Sequence, residues 1–374
     1  MQMYDIVKQV GITESMWQGS IERHDAVSEE FDGIRFFRIT KKVGALVKGS
    51  IITEDGIIFG FPSIARILHL ENGVCNAYNH PFYVEEKVDG YNVRVVRIQG
   101  RILVFSRGAY VCPFSTDRIA DFLEVNKLFD DIPGLIVCGE FAGPDNPYNI
   151  EHPPYVKEDV GFFAFDLMMI NQSHNIPVDE RYKIFDTYSI PTVRRFGQFL
   201  TSDISDLKKI MKELDEAGCE GVVMKPTHPA EKILKYVTLG SCLRDINVTA
   251  PLMAEMASEF FTHRIIRAAM FIHEQMQVLQ PEVFPQLGKV LLRPIYENVT
   301  KAARNEVIDE KFLLRFREEK NIQRMIDHLH KCKVKFEVVS KNKIGNYWYV
   351  KFARKCYATY EILQKHLQGA THVD

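Results

Sequence analysis

Hydrophobic and polar residues alternate over long stretches of the first two thirds of the chain, which predicts β-strands that are buried on one face. The alternation in residues 91–107 is interrupted at 99–100, and that in residues 50–61 is interrupted at 54–56. A glycine-containing turn between two alternating runs predicts a β-hairpin. Continuous apolar runs of strand length follow at 136–141, 160–170 and 221–226. We therefore predict an α+β fold with mostly antiparallel sheets over residues 66–240.

The pattern changes to a helical one after residue 240. Apolar residues recur at helical spacing from Pro251 onward, namely Leu252, Met256, Phe260, Ile265, Ala269 and Ile272. A second helix is predicted over 284–303. A third is predicted over 309–330, and two strands and a final helix follow it to the end of the chain.

These changes of pattern divide the chain into four predicted domains. They are a small N-terminal α+β domain, an α+β core, a helical segment and a small C-terminal α+β domain, over residues 1–65, 66–240, 241–304 and 305–374. The helices of the third domain carry so much Met and Phe that they need a partner surface. That surface is either the rest of the same chain or a second copy, and a second copy would make a twofold dimer interface.

The composition is that of an ordinary globular protein, with 46% hydrophobic residues and a formal net charge of −2. Such a chain can bind nucleic acid only through a local basic patch. Lysines and arginines around Tyr347, Trp348 and Tyr349 form either a surface for single-stranded nucleic acid or a solvated strand face. Seven scattered cysteines without a Cys-x-x-Cys pair indicate neither a zinc site nor a disulfide framework. Free thiols, with no pattern of a signal peptide or a membrane span, favour the cytoplasm.

The candidate chemistry begins at Lys87, in the segment E-E-K-V-D-G at 85–90. Taken alone, this lysine is a weak indication, because similar turns are common at protein surfaces. A free lysine has a pKa of about 10.4 and becomes a good nucleophile only when burial or a neighbouring cation lowers that value. A phosphate-binding pocket would supply such cations.

Segments further along the chain carry the residue types that such a pocket requires. Arg107, which follows a predicted strand and precedes a glycine, can reach a phosphate or sugar oxygen. Glu140, within G-E-F-A-G-P, can accept hydrogen bonds from ribose hydroxyls or bind a hydrated metal ion. Phe165, within F-A-F-D, offers an aromatic face to a purine. Each residue also has an ordinary structural explanation, but their joint occurrence in this order favours a nucleotide site.

Two further segments add an acid and two bases. Glu220 and Lys225 lie five residues apart in E-G-V-V-M-K, and Lys235 follows in L-K-Y-V. On a regular strand, side chains five residues apart point to opposite faces. Glu220 and Lys225 can therefore share one site only if the strand ends or bends between them.

The ordered series K-V-D-G, S-R-G, G-E-F-A-G-P, F-A-F-D, E-G-V-V-M-K and L-K-Y-V over residues 87–237 resembles the motifs of the covalent nucleotidyltransferases. That superfamily comprises DNA ligases, RNA ligases and mRNA capping enzymes. G-E-F-A-G-P and Asn92 resemble the RNA ligases, and the helical segment with its α+β tail resembles the archaeal homodimeric RNA ligases. The resemblance implies a nucleotidyltransferase domain (ATP-grasp-like ligase) over 66–240 and a helical dimerisation domain over 241–304.

The resemblance also implies an activity, that of an ATP-dependent RNA ligase. Lys87 would be the catalytic residue and would attack the α-phosphorus of ATP to give lysyl-AMP. The AMP would pass to an RNA 5′-phosphate, and an RNA 3′-hydroxyl would then displace it. The residues implied to bind the nucleotide are Glu85, Asn92, Arg107, Glu140, Phe165, Glu220, Lys225 and Lys235. Glu140 and Glu220 would hold Mg²⁺ or Mn²⁺, because magnesium retains several waters and needs few carboxylates.

Some roles are more specific. Phe165 would stack on adenine, and Lys225 and Lys235 would hold the α-phosphate. The last motif of the superfamily usually has two lysines separated by one residue, whereas here Lys235 is followed by Tyr236 and Val237. The sequence therefore leaves open which group replaces the second lysine.

Two other functions fit parts of the pattern. DNA ligases and capping guanylyltransferases use the same lysine chemistry but typically append an OB-type barrel after the last motif, where this chain predicts helices. A non-catalytic dimer that binds nucleotide or RNA on a retired transferase scaffold is the second alternative, and the presence of Lys87 argues against it.

Overall fold

The computed structural model describes residues 3–149, 151–228, 230–257 and 259–371. The N-terminal part contains two helices and one antiparallel sheet in the order β1-β2-β3-β4. Its elements are α1 (Met3–Lys8), α2 (Glu14–Glu22), β1 (Ala26–Phe31), β2 (Ile34–Ile39), β3 (Ile51–Thr53) and β4 (Gly56–Ile58). β3 and β4 form the predicted hairpin, with Thr53 opposite Gly56.

The central part is built on two sheets. Its elements are β5 (Ala65–Arg66), α3 (Leu70–Ala77), β6 (Phe82–Lys87), β7 (Tyr91–Ile98), β8 (Arg101–Ser106), α4 (Pro113–Arg118), α5 (Val125–Asp131), β9 (Leu135–Ala142), β10 (Gly161–Met169), α6 (Val178–Thr187), β11 (Arg195–Phe199), α7 (Ile204–Glu216), β12 (Gly221–Pro226) and β13 (Leu234–Val237). The strand orders are β10-β9-β7-β8 and β11-β6-β12-β13-β5. The predicted hairpin of β7 and β8 is confirmed, with left-handed backbone at Gln99 and Gly100 that suits a two-residue turn.

The helical segment follows as α8 (Leu239–Thr249), a 3₁₀ helix (Ala250–Glu255), α9 (Glu259–Phe271), a π-helical turn (Ile272–Met276) and α10 (Val283–Ala303). The predicted helix over 284–303 is confirmed. The helical pattern that begins at Pro251 does not form one continuous helix. Leu252 has non-helical backbone angles inside the 3₁₀ helix, and Pro251 supplies no backbone donor for a regular turn.

The C-terminal part corrects one prediction. The predicted helix over 309–330 is wrong in its first half, because Asp309–Phe316 forms β14, and the helix α11 spans only Glu319–Lys331. Leu314 and Phe316 lie on one face of the strand and are fully buried, which satisfies strand spacing better than helical spacing. The remaining elements are β15 (Phe336–Ile344), β16 (Tyr347–Lys355) and α12 (Tyr357–Leu367), and the sheet order is β14-β16-β15.

The sheet of β7 to β10 lies at the centre of the molecule and has a hydrophobic core on each face. One face packs against the N-terminal sheet, for example through Val96 and Ile136. The other packs against the neighbouring helices and the C-terminal sheet, where Phe316 and Phe352 join Val95. The α+β class with mostly antiparallel sheets is confirmed, because β13 with β5 is the one parallel pairing between named strands of the described residues.

The four domain boundaries stay a prediction. Within the described part of the chain, no helix is both long and apolar enough to cross a membrane.

Candidate active site

A cavity between the two central sheets brings together residues from distant parts of the sequence. β6, β12 and β13 of one sheet form one wall, and the other is formed by Asn92 of β7, Arg107 just after β8, Glu140 of β9 and Phe165 of β10. The sequence-predicted residues that line this cavity are Glu85, Lys87, Asn92, Arg107, Glu140, Phe165, Lys225 and Lys235. Glu220 contacts the cavity through Lys87.

Lys87 is the last residue of β6, and its side chain is 23% exposed. Its Nζ donates a hydrogen bond to Oε2 of Glu220 at 2.7 Å. Burial lowers the pKa of Lys87, but Glu220, Glu140 and Asp89 outweigh burial and leave that pKa raised. Without ligand, Lys87 is therefore an ammonium that is paired with Glu220.

The position of Glu220 depends on Gly221, the first residue of β12. Gly221 has a φ of 149°, and a Cβ there would lie 2.2 Å from the carbonyl oxygen of Tyr236. Only glycine fits this combination of backbone angle and strand contact. The strand thus begins after Glu220, so Glu220 can reach Lys87 while Lys225 lies within the strand. Glu220 and Lys225 can therefore share one site, because the strand does not include Glu220.

Glu140 and Asn92 lie side by side on β9 and β7, where they are direct register partners. Burial raises the pKa of Glu140 to about 8; Glu220 and Asp89 also raise it, while Lys87 and Arg107 oppose them. The Oδ1 atom of Asn92 is buried and has no hydrogen-bond partner among the described residues. Glu140 and the unused amide oxygen of Asn92 form an acceptor pair, and a cation bound there would favour the ionised form of Glu140.

The other end of the cavity is apolar. The ring of Phe165 packs edge-on against Phe61, with 5.3 Å between ring centroids. Ile64, Val223 and Ile233 complete this surface. An aromatic and aliphatic slot of this kind suits a purine base. Phe61 and Ile64 belong to the segment between β4 and β5, and nothing in their residue type or spacing separates them from ordinary core residues.

Lys225 lies at this apolar end, within a buried ion-pair network. Its Nζ lies 2.7 Å from Glu85 and 3.3 Å from Asp166, and it donates a hydrogen bond to the carbonyl oxygen of Phe165 at 2.5 Å. Arg181, which is 1% exposed, bridges the same two carboxylates at 2.5 Å each. Lys225 is thus paired with Glu85 and Asp166, whereas the pKa of Lys235 is affected by Lys87 and Glu220. Asp166 and Arg181 were not among the predicted site residues.

Lys235 and Arg107 supply cations near the nucleophile. Burial, together with Arg66, Lys87 and Arg107, lowers the pKa of Lys235 to about 8, and Glu220 opposes them. Arg66 lies directly opposite Lys235 in the sheet and was missed by the sequence analysis. Arg66 lies at the start of the central part and belongs to no sequence motif, so no pattern identified it as a site residue.

No three His, Cys, Asp or Glu side chains in the described ranges are arranged as a ready metal cage. Magnesium needs none, because it is usually held by one or two carboxylates together with waters and substrate phosphates. Glu140 and Glu220 therefore fit the predicted metal site in number and type.

Comparison with known proteins agrees with this geometry. A family model described as RNA ligase matches residues 80–237, and one described as the C-terminal region of the ligase Pab1020 matches residues 248–370. A solved structure of an archaeal ATP-dependent RNA ligase is 27% identical, with a TM-score of 0.92 and full coverage of both chains. The chain belongs to the archaeal-type RNA ligase family. Its ligase fold therefore extends over the helical and C-terminal parts as well as the central sheets.

Two other similar proteins bear on which polynucleotide this RNA ligase family member joins. A solved structure described as a candidate ATP-dependent DNA ligase from Aquifex aeolicus is 31% identical, with a TM-score of 0.92, 96% coverage of this chain and 100% of the other. An uncharacterized protein of Methanocaldococcus jannaschii is 26% identical over 328 residues, which cover 84% of this chain and 82% of the relative. Similar proteins thus carry descriptions of both RNA and DNA ligases.

Proposed function

We propose that this ligase is an ATP-dependent RNA ligase that joins RNA 5′-phosphate and 3′-hydroxyl ends through lysyl-AMP and AMP-capped RNA. One observation carries the proposal. Lys87 stands beside Glu220 in a cavity with an apolar slot at one end and the cations Lys235 and Arg107 at the other. This arrangement fits a purine nucleotide whose phosphates lie next to a nucleophile.

The proposed reaction has three displacements at phosphorus. The Nζ atom of Lys87 forms a bond to the α-phosphorus of ATP, and the bond to the bridging oxygen breaks and releases pyrophosphate. An oxygen of the RNA 5′-phosphate then displaces Lys87, which regains its amine and leaves AMP joined to the RNA end. Finally an RNA 3′-hydroxyl attacks the 5′-phosphate and releases AMP. Each step needs positioning and neutralised charge more than covalent help from the protein.

The residues of the chain divide these tasks. Phe165 stacks on adenine, Glu85 and Lys225 lie at the base end, and Lys235 and Arg107 neutralise the α-phosphate. Lys87 must lose a proton before it attacks.

Glu140 and Glu220 would hold Mg²⁺ or Mn²⁺, and the buried Oδ1 of Asn92 would accept a hydrogen bond from its water shell. When bound, the metal supplies positive charge at the reacting phosphate.

The C-terminal sheet is our candidate surface for the RNA strand. The Nζ atoms of Lys341 and Lys343 lie 4.8 and 5.6 Å from the ring centroid of Trp348. Cations beside a half-buried aromatic ring suit a phosphate backbone with unstacked bases. The positive charge of this patch is partly neutralised, because Lys341 also forms an ion pair with Glu319 at 2.6 Å.

A homodimer is also part of the proposal. The long helix α10 exposes large apolar side chains at helical spacing, with Phe284, Leu292 and Tyr296 each more than 60% exposed. Apolar side chains exposed in such a row are typical of an interface. The proposed partner is a second copy of the chain, packed about a twofold axis.

The decisive test is covalent labelling with α-labelled ATP and magnesium. We expect an acid-labile label on the wild-type protein, no label on Lys87→Ala, and wild-type labelling of Lys127→Ala, which alters an exposed lysine on α5. A folded wild-type protein that takes no label would contradict the proposal. A label that persists in Lys87→Ala would place the nucleophile elsewhere, and a preference for GTP would favour a capping enzyme.

Joining of nicked DNA is the second candidate function, favoured by the description of the Aquifex aeolicus relative. The labelled protein should be offered single-stranded 5′-phosphorylated RNA and nicked duplex DNA of the same sequence. RNA ligation requires that AMP transfer and strand joining be faster with RNA. The reverse order would make the protein a DNA ligase.

A further inference from the structure

Arg66 belongs to no sequence motif, yet it lies beside Lys235, a residue of the predicted site. It is the second residue of the short strand β5, which pairs in parallel with β13 at the edge of the sheet. Arg66 lies directly opposite Lys235, so their Cα atoms are about one strand spacing, ~5 Å, apart. Directly paired residues project to the same face of a sheet, and for Lys235 that face lines the cavity.

The guanidinium of Arg66 is poorly satisfied by the protein itself. Its Nη1 atom is buried and has no hydrogen-bond partner among the described residues. Burial lowers the pKa of Arg66, and the nearby Arg267 of α9 lowers it further, while Glu220 and Asp245 oppose this. A buried donor without a partner costs stability, which an anionic ligand can repay.

The strand order decides where an anion at Arg66 would lie in the reaction. Across the sheet, β6 carries Lys87, β13 carries Lys235 and β5 carries Arg66, with β12 between the first two. Lys235 and Arg66 share a row of the sheet with Val223 and Glu85, two residues along β6 from the row of Lys87. In an in-line displacement, the leaving group departs on the side opposite the nucleophile. Arg66 belongs to the strand farther from β6 than that of Lys235, so it lies on the side away from Lys87.

We propose that Arg66, beside Lys235, forms a subsite for the β- and γ-phosphates of ATP and for the pyrophosphate that leaves. The inference rests on the lysyl-AMP chemistry proposed above and assigns the group that stands in for the missing lysine at Val237. Pyrophosphate carries several negative charges, so Arg66 together with Lys235 suits it better than Lys235 alone. The buried Nη1 atom favours a small anion over the end of a polymer.

The test measures the separate steps in Arg66→Ala, Arg66→Lys and a matched control, Arg35→Ala, which alters an exposed arginine on β2. Three rates are needed: label transfer from ATP, release of the label by added pyrophosphate, and joining of RNA that already carries the 5′-AMP cap. We expect Arg66→Ala to slow the first two about a hundredfold, as the loss of one donor to a reacting phosphate does. Joining of capped RNA should change less than about threefold, and Arg66→Lys should recover part of the loss.

Each other outcome overturns the inference. Normal labelling of Arg66→Ala would mean that Arg66 binds no phosphate of ATP. Normal labelling with slow AMP transfer to RNA would assign the subsite to the RNA 5′-phosphate instead. A loss of all three rates in both Arg66 variants would show a structural role. A wild-type protein that takes no label contradicts the proposed function itself, and this result is distinct from every outcome at Arg66.

Discussion

Lys235 offers a quantitative test of how the pocket holds phosphate, because its ammonium loses charge within an accessible pH range. Burial, with Arg66 and Lys87, lowers the pKa of Lys235 to about 8. The direction of the pH dependence follows from this pKa. Below pH 8 the side chain is charged and binds phosphate, and above pH 8 the free protein must take up a proton to do so. ATP binding should therefore weaken as the pH rises.

The size of the effect follows from the same value. A group with a pKa of about 8 is about one-eleventh protonated at pH 9. If only the charged form binds, the apparent Kd for ATP at pH 9 is about elevenfold above its low-pH limit. This factor corresponds to about 1.4 kcal/mol of binding free energy.

The assay is calorimetric binding of α,β-methylene-ATP, which Lys87 cannot cleave, at pH 7 to 9 with magnesium. Glu140 and Asp89 also have pKa values raised to about 8, so both gain negative charge over the same range. The control is Lys235→Arg, which stays charged and keeps that carboxylate contribution. We expect the wild-type Kd to rise about tenfold more than that of the variant. An equal rise in both proteins would refute the role of Lys235.

Three further changes test the framework around the site. Gly221→Ala places a Cβ against the carbonyl of Tyr236, so we expect a loss of about 1–3 kcal/mol of stability and slow labelling; unchanged thermal unfolding and labelling would contradict this. Arg181→Met removes one of the two cations that pair with Asp166 and Glu85, Lys225 being the other, and should cost about 1.5–3 kcal/mol in denaturant unfolding, with Arg181→Lys costing less; equal costs would argue against the bridging role of Arg181. Leu292→Glu should convert a dimer to a monomer in sedimentation while labelling persists, and a wild-type monomer would remove the proposed interface.

The sequence predicted the strands well where alternation was strong. β7 and β8 were placed correctly because their apolar positions alternate on both sides of Gln99-Gly100. Asp309–Phe316 was misassigned because two adjacent leucines, Leu313 and Leu314, fit a helix as well as a strand. Only the tertiary contact of Phe316 with the core decides between them.

The site was predictable in its charged residues and not in its walls. Lys87, Glu140 and Glu220 were found because ordered motifs mark them, whereas no geometry was visible in the sequence. Phe61 was missed because it reaches the cavity only through the packing of one sheet against the other, and Arg66 because it lies beside Lys235 only through the pairing of β5 with β13. Such pairings join residues about 170 positions apart, a distance over which local patterns carry no information.

The charge state of Lys87 sets the order of events in the proposed reaction. Glu220, followed by Glu140 and Asp89, raises the pKa of Lys87 against the effect of burial, so the free protein holds its nucleophile as an ammonium. ATP alone cannot release that proton, because its phosphates add further negative charge. In the proposed reaction, a divalent ion held by Glu140 and Glu220 would offset the negative charge that raises the pKa of Lys87 and would leave burial to lower it. The acidic residues that raise the pKa of Lys87 would then be the ones that make its activation depend on the divalent ion.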